Sequence, residues 1–219
     1  MTALPAFGAK MQNIHLISHP LIEHKLSILR SKTTDVFQFR ELVGEITYLM
    51  IFEASRDLAT RPVSVETPVA SANCKKLSEK IMICPILRAA LGMLESVLRL
   101  IPDASVGFLG FQRNEKTLEA EFYYAKMPKD VTERTAIVID PMFATGGTAR
   151  DAVKFLREKG VQKIKFISLI AAPEGLGRFS AEYPDVEVFV ASIDDGLNER
   201  GYIVPGLGDA GDRIFNTLG

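Results

Sequence analysis

Residues 138–149 read VIDPMFATGGTA, a carboxylate followed at once by a loop with almost no side chains. Glycines let an anion approach the backbone closely, and the free N–H groups and partial positive charge of a helix N-terminus attract it. Thr145 and Thr148 add hydroxyl donors, while Asp140 can accept hydrogen bonds from sugar hydroxyls. The pattern predicts a sugar-phosphate site, with phosphate on residues 144–148 (the glycine loop) and hydroxyls on Asp140. The plainer interpretation is a tight strand–helix turn in which Asp140 is a cap.

The segments around the glycine loop favour the functional interpretation. Residues 136–139 form an apolar run typical of a buried strand. Residues 149–159 predict a helix that ends at Gly160, and residues 164–170 predict another strand. This order is a βαβ unit of a parallel sheet. The chain lacks G-x-x-x-x-G-K-[ST], and it lacks G-x-G-x-x-G at a first strand, which excludes a Walker-type ATPase and an ordinary dinucleotide binder.

Two arginines occupy positions that suit further anion contacts. Arg88 lies in PILRAA (residues 85–90), where small residues follow a predicted strand and could expose backbone donors beside one guanidinium. The alternative pairs Arg88 with Glu95 or leaves it in solvent. Arg113 lies in FQRNEKT, the tip of a predicted hairpin, where it could close over a phosphate as a lid cation. A solvated loop charge is the plainer interpretation of Arg113.

The segment GYIVPGLGDAGDR (residues 201–213) places four glycines and Ala210 around Asp209. Small side chains leave backbone N–H and C=O groups open, and such a backbone could recognise a planar ligand with alternating donors and acceptors. The alternative is an ordinary C-terminal loop with turn glycines.

The hydrophobic pattern outlines the scaffold that must position these residues. Two helices are predicted near the start, at residues 21–29 and after a cap at Thr34 or Asp35. Further strands are predicted at residues 77–84, 105–111, 121–124 and 186–192. Polar residues 112–119 are predicted to be the exposed tip of a β-hairpin, and the C-terminal tail to be mostly irregular. The predicted fold class is α/β, an open and mostly parallel sheet flanked by helices, with an N-terminal helical segment and a β-hairpin arm.

Bulk properties bound the class of protein. A chain of 219 residues, 47% of them hydrophobic, can bury a substantial core, which predicts a single domain over residues 1–219. The net charge of −1 argues against a nucleic-acid or membrane-surface protein. No apolar run approaches the ~20 residues of a membrane span, and no secretory signal is evident, which predicts a cytoplasmic protein. Cys74 and Cys84 fit no zinc or redox spacing, and the three histidines are interpreted as surface or packed residues.

Taken together, these segments resemble the uracil phosphoribosyltransferase family over nearly the whole chain. The blocks that carry the resemblance are FRELVGEITYLMIFEAS, PILRAALGM, FQRNEKTLE, VIDPMFATGGT, LIAAPEGL and ASIDDGLNERGYIVPGLGDAGD. The block with the glycine loop alone indicates a phosphoribosyltransferase, and the last block selects the uracil branch. The resemblance implies a parallel α/β sheet with a C-terminal hood loop over the ligand. It also implies a pyrimidine-salvage reaction in which uracil and 5-phosphoribosyl diphosphate (PRPP), with Mg²⁺, give UMP and pyrophosphate.

The resemblance further implies roles for individual residues. The residues implied to be catalytic are Arg88, Arg113 and Asp209. Those implied to bind PRPP are Arg88, Arg113, Asp140, Pro141, Met142, Phe143, Ala144, Thr145, Gly146, Gly147, Thr148 and Asp209. Those implied to bind uracil are Tyr202, Ile203, Gly208, Asp209 and Ala210. Mg²⁺ would be held mainly through PRPP, the chain would form a homo-oligomer (dimer or tetramer), and the resemblance allows GTP as an effector.

Three positions depart from the family pattern. Ala90 replaces a glycine, Phe143 replaces a smaller aliphatic residue, and Thr148 replaces a serine. Ala90 matters most, because a backbone with positive φ would be costly for alanine, whereas helical dihedrals would make alanine harmless.

Two other functions stay open on the sequence alone. One is a regulatory, phosphoribosyltransferase-like protein that binds nucleotides or RNA with little turnover, although the near-neutral charge disfavours RNA and the intact tail disfavours lost catalysis. The other is transfer to a different base, such as a purine or orotate. Orotate would require a cation for its carboxylate, and only Arg200 and Arg213 are candidates.

Overall fold

The computed structural model describes residues 11–113 and 120–217, without the side chains of residues 112, 113, 120 and 121. The helices are α1 (Pro20–Arg30), α2 (Val36–Ala54), α3 (Leu91–Leu100), α4 (Gly147–Glu158), α5 (Pro173–Glu182) and α6 (Ala210–Phe215). The strands are β1 (Ile14–Leu16), β2 (Thr60–Glu66), β3 (Ser71–Leu77), β4 (Lys80–Leu87), β5 (Ser105–Val106), β6 (Phe108–Arg113), β7 (Ala120–Lys126), β8 (Arg134–Ile139), β9 (Met142–Phe143), β10 (Ile164–Ala171), β11 (Glu187–Ile193), β12 (Gly196–Leu197) and β13 (Ile203–Val204).

The main sheet is open and mostly parallel. Its strand order is β1-β11-β10-β8-β4-β6-β7, with β5 beside β4 and β9 beside β10. Only the β6–β7 pair is antiparallel among the described pairs of this sheet, and it forms the predicted hairpin arm. The predicted fold class is therefore confirmed, and the carboxyl ends of the central strands meet at one edge, where open α/β sheets bind ligands.

Helices cover both faces of this sheet because its strands are apolar on both sides. On β8, Ile137 and Ile139 belong to the core cluster that also contains residues of α1, α2, α3 and α6. The alternate residues Ala136 and Val138 belong to the second cluster, together with residues of α4 and α5. Side chains alternate across a strand, so one uninterrupted apolar run supplies both cores.

The first two helices follow their sequence signals closely. His19 precedes α1, and its Nδ1 accepts a hydrogen bond from the Leu21 N–H at 3.2 Å. Asp35, rather than Thr34, caps α2, with Oδ1 accepting the Gln38 N–H at 2.8 Å. The apolar stripe of α2 is buried in the first core cluster, as its helical spacing predicts.

Several elements were not predicted from the sequence, among them helix α5. Strand β1 adds a parallel edge to the sheet beside β11. Strands β2 and β3 form a separate hairpin in which most residues are exposed, so its sequence carries only a short apolar alternation, at Val63 and Val65. The tail is less irregular than predicted, because it contains the short β12–β13 pair and α6. No helix of the described chain is long and apolar enough to cross a membrane.

Candidate active site

One cleft at the carboxyl edge of the sheet brings together the chemical segments singled out in the sequence. Its volume is about 280 Å³. The residues that line it are Ile86, Leu87, Arg88, Ala89, Phe111, Asp140, Met142, Ala144, Thr148, Gly201, Tyr202, Ile203, Gly208, Asp209, Ala210 and Gly211. Residues as far apart in the chain as Ile86 and Gly211 thus share a cavity, because parallel strands deliver their following loops to the same edge.

The glycine loop joins β9 to α4 and is shaped as an anion site. Gly146 has a φ of 80°, a left-handed conformation that favours glycine, and α4 begins at Gly147. The helix thus starts two residues earlier than predicted, and Gly147 and Thr148 belong to its first turn, where backbone N–H groups have no partner within the helix. The loop lines a second, polar cavity of about 680 Å³ that adjoins the first at Asp140.

Asp140 lies between the two cavities and borders both. Its Oδ1 accepts one hydrogen bond, from the Met142 N–H at 3.3 Å. Gly146 precedes α4 without a side-chain cap, so Asp140 is not the cap of this helix. Burial of the carboxyl raises the pKa of Asp140 to about 7, and the Met142 hydrogen bond offsets only part of that rise. Such a carboxyl is poised to gain hydrogen-bond donors from a ligand.

Residues 141–143 lead from Asp140 into the glycine loop. Pro141 and Phe143 are buried, whereas Met142 lies at the surface of the cleft. The Phe143 ring packs edge-on against Phe166 and Phe179, with ring centroids 5.1 and 5.4 Å apart. The larger residue at position 143 is therefore accommodated in the core.

Arg88 follows the end of β4, and its side chain makes only long-distance contacts. The side chain is 60% exposed, with Nη2 3.7 Å from Asp212 Oδ1 and the guanidinium 5.9 Å from the Phe215 ring centroid. Glu95 pairs instead with Arg99, at 2.6 Å, so the alternative partner suggested by the sequence is not used. Ala90, two residues further on, has φ −66° and ψ −11°. This is a right-handed helical conformation, in which alanine is harmless.

The structure describes only the backbone of Arg113. Arg113 ends β6, opposite Ala120 of β7. Its side chain and the predicted hairpin tip lie outside the described part of the structure, and its role as a lid cation stays a prediction.

The C-terminal loop (residues 201–209) lines the same cleft as Asp140 and the glycine loop. Gly206 and Gly208 have φ values of 61° and 83°, so the loop turns tightly. Gly206 is buried, whereas Gly208 is exposed and leaves its backbone open at the cleft. Ile203 is buried and Tyr202 is half exposed, and both line the cleft. Asp209 caps α6, with its Oδ1 accepting the Asp212 N–H at 2.9 Å.

The cations proposed as orotate partners are not directed at this cleft. Arg213 donates to the carbonyl oxygens of Leu207 at 2.8 Å and Ser31 at 2.6 Å, and its guanidinium lies 4.2 Å from the Phe39 ring centroid. Neither Arg213 nor Arg200 is among the cleft-lining residues of the described chain. Arg213 is thus a structural contact that ties α6 to the N-terminal helices.

Both cavities are also lined by residues that the sequence did not assign to the site. Phe111 of β6 borders the smaller cavity, and Arg178 of α5 borders the larger one. Phe111 begins the FQRNEKT segment, and Arg178 follows Gly175 and Gly177, but the sequence does not show which cavity either residue borders. Only the position of β6 and α5 in the fold places them there.

Comparison with known proteins agrees with the motifs. The family model described as uracil phosphoribosyltransferase matches residues 16–217. A curated uracil phosphoribosyltransferase of Campylobacter fetus is 76% identical over 208 residues, covering 95% of this chain and 100% of the relative. That of Campylobacter jejuni is 68% identical over the same coverage.

Solved structures with a similar fold include phosphoribosyltransferases. A protein structure from Aquifex aeolicus superposes with a TM-score of 0.89 at 40% identity, covering 92% of this chain and 97% of that one. Adenine phosphoribosyltransferase from Trypanosoma brucei, solved with AMP, pyrophosphate and ribose-5-phosphate, superposes with a TM-score of 0.57 at 12% identity over 90% and 88% of the chains. At that identity the likeness concerns the fold alone.

Proposed function

The chain belongs to the uracil phosphoribosyltransferase family, and from that premise we propose that it transfers the 5-phosphoribosyl group of PRPP to uracil, giving UMP and pyrophosphate. The observation that carries the proposal is the one cleft that Asp140, the glycine loop and the C-terminal loop line together. A phosphoribosyl donor and a planar base must lie side by side for transfer, and the two walls of this cleft suit one each.

PRPP would lie along the glycine loop and Asp140. The 5-phosphate would accept hydrogen bonds from the first-turn N–H groups of α4 and from the hydroxyls of Thr145 and Thr148. Asp140 would accept the ribose hydroxyls, and Arg88 would contact the pyrophosphate from the opposite rim. The high exposure of the Arg88 side chain supports this role, because the guanidinium is not committed to a buried partner. Arg113 would add a second cation from the hairpin.

The donor set of the cleft fits Mg²⁺ that arrives with PRPP. Asp140 and Asp209 present two carboxylates to one cavity, and Mg²⁺ is commonly bound through one or two carboxylates plus substrate phosphates. The described residues contain no cluster of three or more acidic, histidine or cysteine side chains suited to a protein-only metal site. Asp209 would hold the ion from the protein side. When bound, Mg²⁺ would neutralise charge on the departing pyrophosphate.

Uracil would be held by the C-terminal loop and activated by position rather than by a strong base. Departure of pyrophosphate leaves positive charge on the anomeric carbon, and the ring nitrogen of uracil must then lie in line with it. No histidine is among the residues that line the cleft in the described chain. Backbone donors to the oxo groups of uracil would make the attacking nitrogen more acidic, which reduces the need for a general base.

A direct assay tests the proposal. The purified protein with Mg²⁺ and PRPP should convert uracil to UMP, and omission of either PRPP or Mg²⁺ should abolish the product. Hypoxanthine, adenine and orotate should give little or none, since Arg88, the one cation among the described residues that line the cleft, is assigned to the pyrophosphate, and the 280 Å³ of the cleft suits one small base beside the ribose. Equal or faster use of any of these bases would reject uracil as the substrate. Binding without turnover, with salt-sensitive retention of RNA, would instead support the regulatory alternative.

We also propose that the chain forms a homo-oligomer. Phe37 and Phe52 of α2 are 72% and 58% exposed, and Tyr48 is 43% exposed on the same helix. Hairpin β2–β3 pairs with no other strand of the described chain, and an isolated two-stranded hairpin is only marginally stable in water. Light scattering on the eluting protein should give a dimer or tetramer mass, and a monomer mass would reject this part of the proposal.

A GTP effector rests on the family resemblance alone. If GTP acts on this chain, UMP formation at subsaturating PRPP should rise with added GTP, whereas ATP at the same concentration should have no effect. An unchanged rate across the GTP titration would remove GTP from the proposal.

A further inference from the structure

The block LIAAPEGL (residues 169–176) belongs to the resemblance but supplies none of the proposed substrate contacts. It runs from the end of β10 into the first turn of α5. That turn lies behind the glycine loop on one side and beside the β12–β13 pair on the other, so it touches both walls of the cleft from outside.

The contact with the glycine loop is backbone against backbone. A Cβ atom placed on Gly175 would lie 2.1 Å from the carbonyl oxygen of Ala144 and 3.0 Å from the N atom of Gly146. A Cβ atom on Gly146 would in turn lie 3.0 Å from the Gly175 carbonyl oxygen. The Ala172 N–H donates to the Phe143 carbonyl oxygen at 2.9 Å, just before the loop. The glycine loop therefore rests directly on α5, and no side chain fits between them.

The contact with the other wall is made by the neighbouring residue. Oε1 of Glu174 accepts a hydrogen bond from the Leu197 N–H at 3.1 Å. Leu197 is paired with Ile203 in the β12–β13 ladder, and Ile203 lines the cleft. Glu174 thus contacts the proposed base wall (the C-terminal loop) through the β12–β13 pair. Gly175 contacts the proposed phosphate wall (the glycine loop) directly.

We propose that the first turn of α5 is a positioning element that sets the spacing between the two walls of the cleft. Gly175 and Glu174 are positioning residues: Gly175 fixes the glycine loop for the phosphoribosyl donor, and Glu174 fixes the β12–β13 pair for the base. This inference rests on the proposed function, because the two walls must hold the two substrates in line for transfer.

The Gly175 contact is tested by Gly175→Ala with Gly177→Ala as the matched control. Both glycines lie in α5, but a Cβ atom on Gly177 would meet nothing within 4 Å. In Gly175→Ala the loop must move by roughly 1 Å or more to reach van der Waals separation, and a misplacement of that size can cost about 100-fold in rate. We expect the KM for PRPP to rise at least tenfold and the PRPP-induced rise in Tm to shrink. Gly177→Ala should behave as the native chain in both measurements.

The Glu174 contact is tested by Glu174→Ala with Glu174→Gln as the conservative variant. Gln keeps an oxygen acceptor at the same reach, whereas Ala leaves the Leu197 N–H without it. In Glu174→Ala the KM for uracil at saturating PRPP should rise severalfold, and the PRPP-induced rise in Tm should stay native. Glu174→Gln should restore most of the uracil affinity, which a loss of general stability would not produce.

The pattern of outcomes separates this inference from the proposed function. A native chain that makes no UMP rejects the proposed function itself. A native chain that is active, with a folded Gly175→Ala variant whose KM for PRPP is unchanged, overturns the positioning role of Gly175. If Gly175→Ala does not fold, the Glu174 pair decides: equal loss of uracil and PRPP binding in Glu174→Ala, or no loss at all, overturns the proposed positioning element.

Discussion

The Asp194 carboxylate and the Arg30 guanidinium form an ion pair through two hydrogen bonds, and both groups also hydrogen-bond the backbone of Gly206 in the C-terminal loop. Arg30 Nη2 lies 2.6 Å from Asp194 Oδ1, and Nη1 lies 2.7 Å from Oδ2. Asp194 Oδ2 also accepts the Gly206 N–H at 2.8 Å, while Arg30 Nη1 donates to the Gly206 carbonyl oxygen at 2.8 Å. Both backbone polar groups of Gly206 are thus held by one pair, which links α1 and the end of β11 to the proposed base wall.

Asp194→Ala should lower the free energy of unfolding by about 3 kcal/mol, since removal of one partner leaves the other charge unpaired in a largely buried place. The Asp194 side chain is 2% exposed and that of Arg30 24%. The KM for uracil should rise as well, because Gly206 loses its anchor. Denaturant unfolding and steady-state kinetics measure the two effects.

Glu53→Ala is the control for Asp194→Ala. Glu53 forms a similar two-bond pair with Arg56, but both side chains are exposed. Exposed pairs contribute about 0–1 kcal/mol, so this variant should be close to native in stability. Equal destabilisation by the two variants would contradict the importance assigned to the buried pair.

Asp140→Asn should lower kcat/KM for PRPP by about ten- to a hundredfold, because hydrogen bonds to a charged acceptor contribute roughly 1.5–3 kcal/mol. The substitution keeps the shape of the side chain and removes the charge that would accept the ribose hydroxyls. In the native chain kcat/KM for PRPP should rise as pH increases through about 7, the pKa of Asp140, and the variant should lack that rise. A pH profile of PRPP use for both chains tests this, and identical profiles would exclude Asp140 as the titrating group.

The same substitution should stabilise the protein at alkaline pH. The pKa of Asp140 is raised by burial to about 7, above the value of about 3.9 in an unfolded chain. Folding therefore retains a proton that the unfolded chain releases, so the contribution of Asp140 to stability is greatest below pH 4 and is lost as pH rises towards 7. At pH 8 we expect Asp140→Asn to be more stable than the native chain by at least about 1.4 kcal/mol, one pKa unit, with a smaller gain at pH 4. Denaturant unfolding at both pH values measures this, and an equal difference at pH 4 and pH 8 would contradict it.

Features that depend on neighbouring residues could be predicted from the sequence, whereas contacts between distant segments could not. The glycine loop and Asp140 lie within one βα connection, so composition and order suffice to predict them. The contacts of Gly175 with Ala144 and of Asp194 with Arg30 join segments that are distant in the chain. The sequence around Gly175 or Asp194 does not indicate which distant residue it contacts. Helix α6 was missed because it has six residues, one of them glycine, and depends on the Asp209 cap and on tertiary contacts.

Ala90→Gly should leave the rate of UMP formation unchanged and lower stability. The helical dihedrals of Ala90 impose no need for glycine, and its methyl group is fully buried in the first core cluster. Loss of that methyl and the added freedom of glycine should cost about 1 kcal/mol. A large gain in activity would mean that the loop around Arg88 is impaired by alanine.

The choice of base by the C-terminal loop gives the sharpest prediction. If an N–H of the backbone around Gly208 and Ala210 donates to the 4-oxo group of uracil, and a C=O accepts the adjacent ring N–H, cytosine offers a donor and a bare nitrogen at those places. Unpaired buried polar groups cost about 1–3 kcal/mol each, and a site built on such bonds can discriminate by roughly 10⁴, so cytosine should not be used. Ala210 is 3% exposed at the start of α6, and it lines the smaller cavity but not the larger one beside the glycine loop, so Ala210→Val should crowd the base and leave the phosphate site open. We expect that variant to make no UMP while Mg²⁺ and PRPP still raise its Tm, measured on one preparation. Normal uracil turnover by Ala210→Val would put the base elsewhere, and loss of the PRPP effect on Tm would mean that the two walls are not independent.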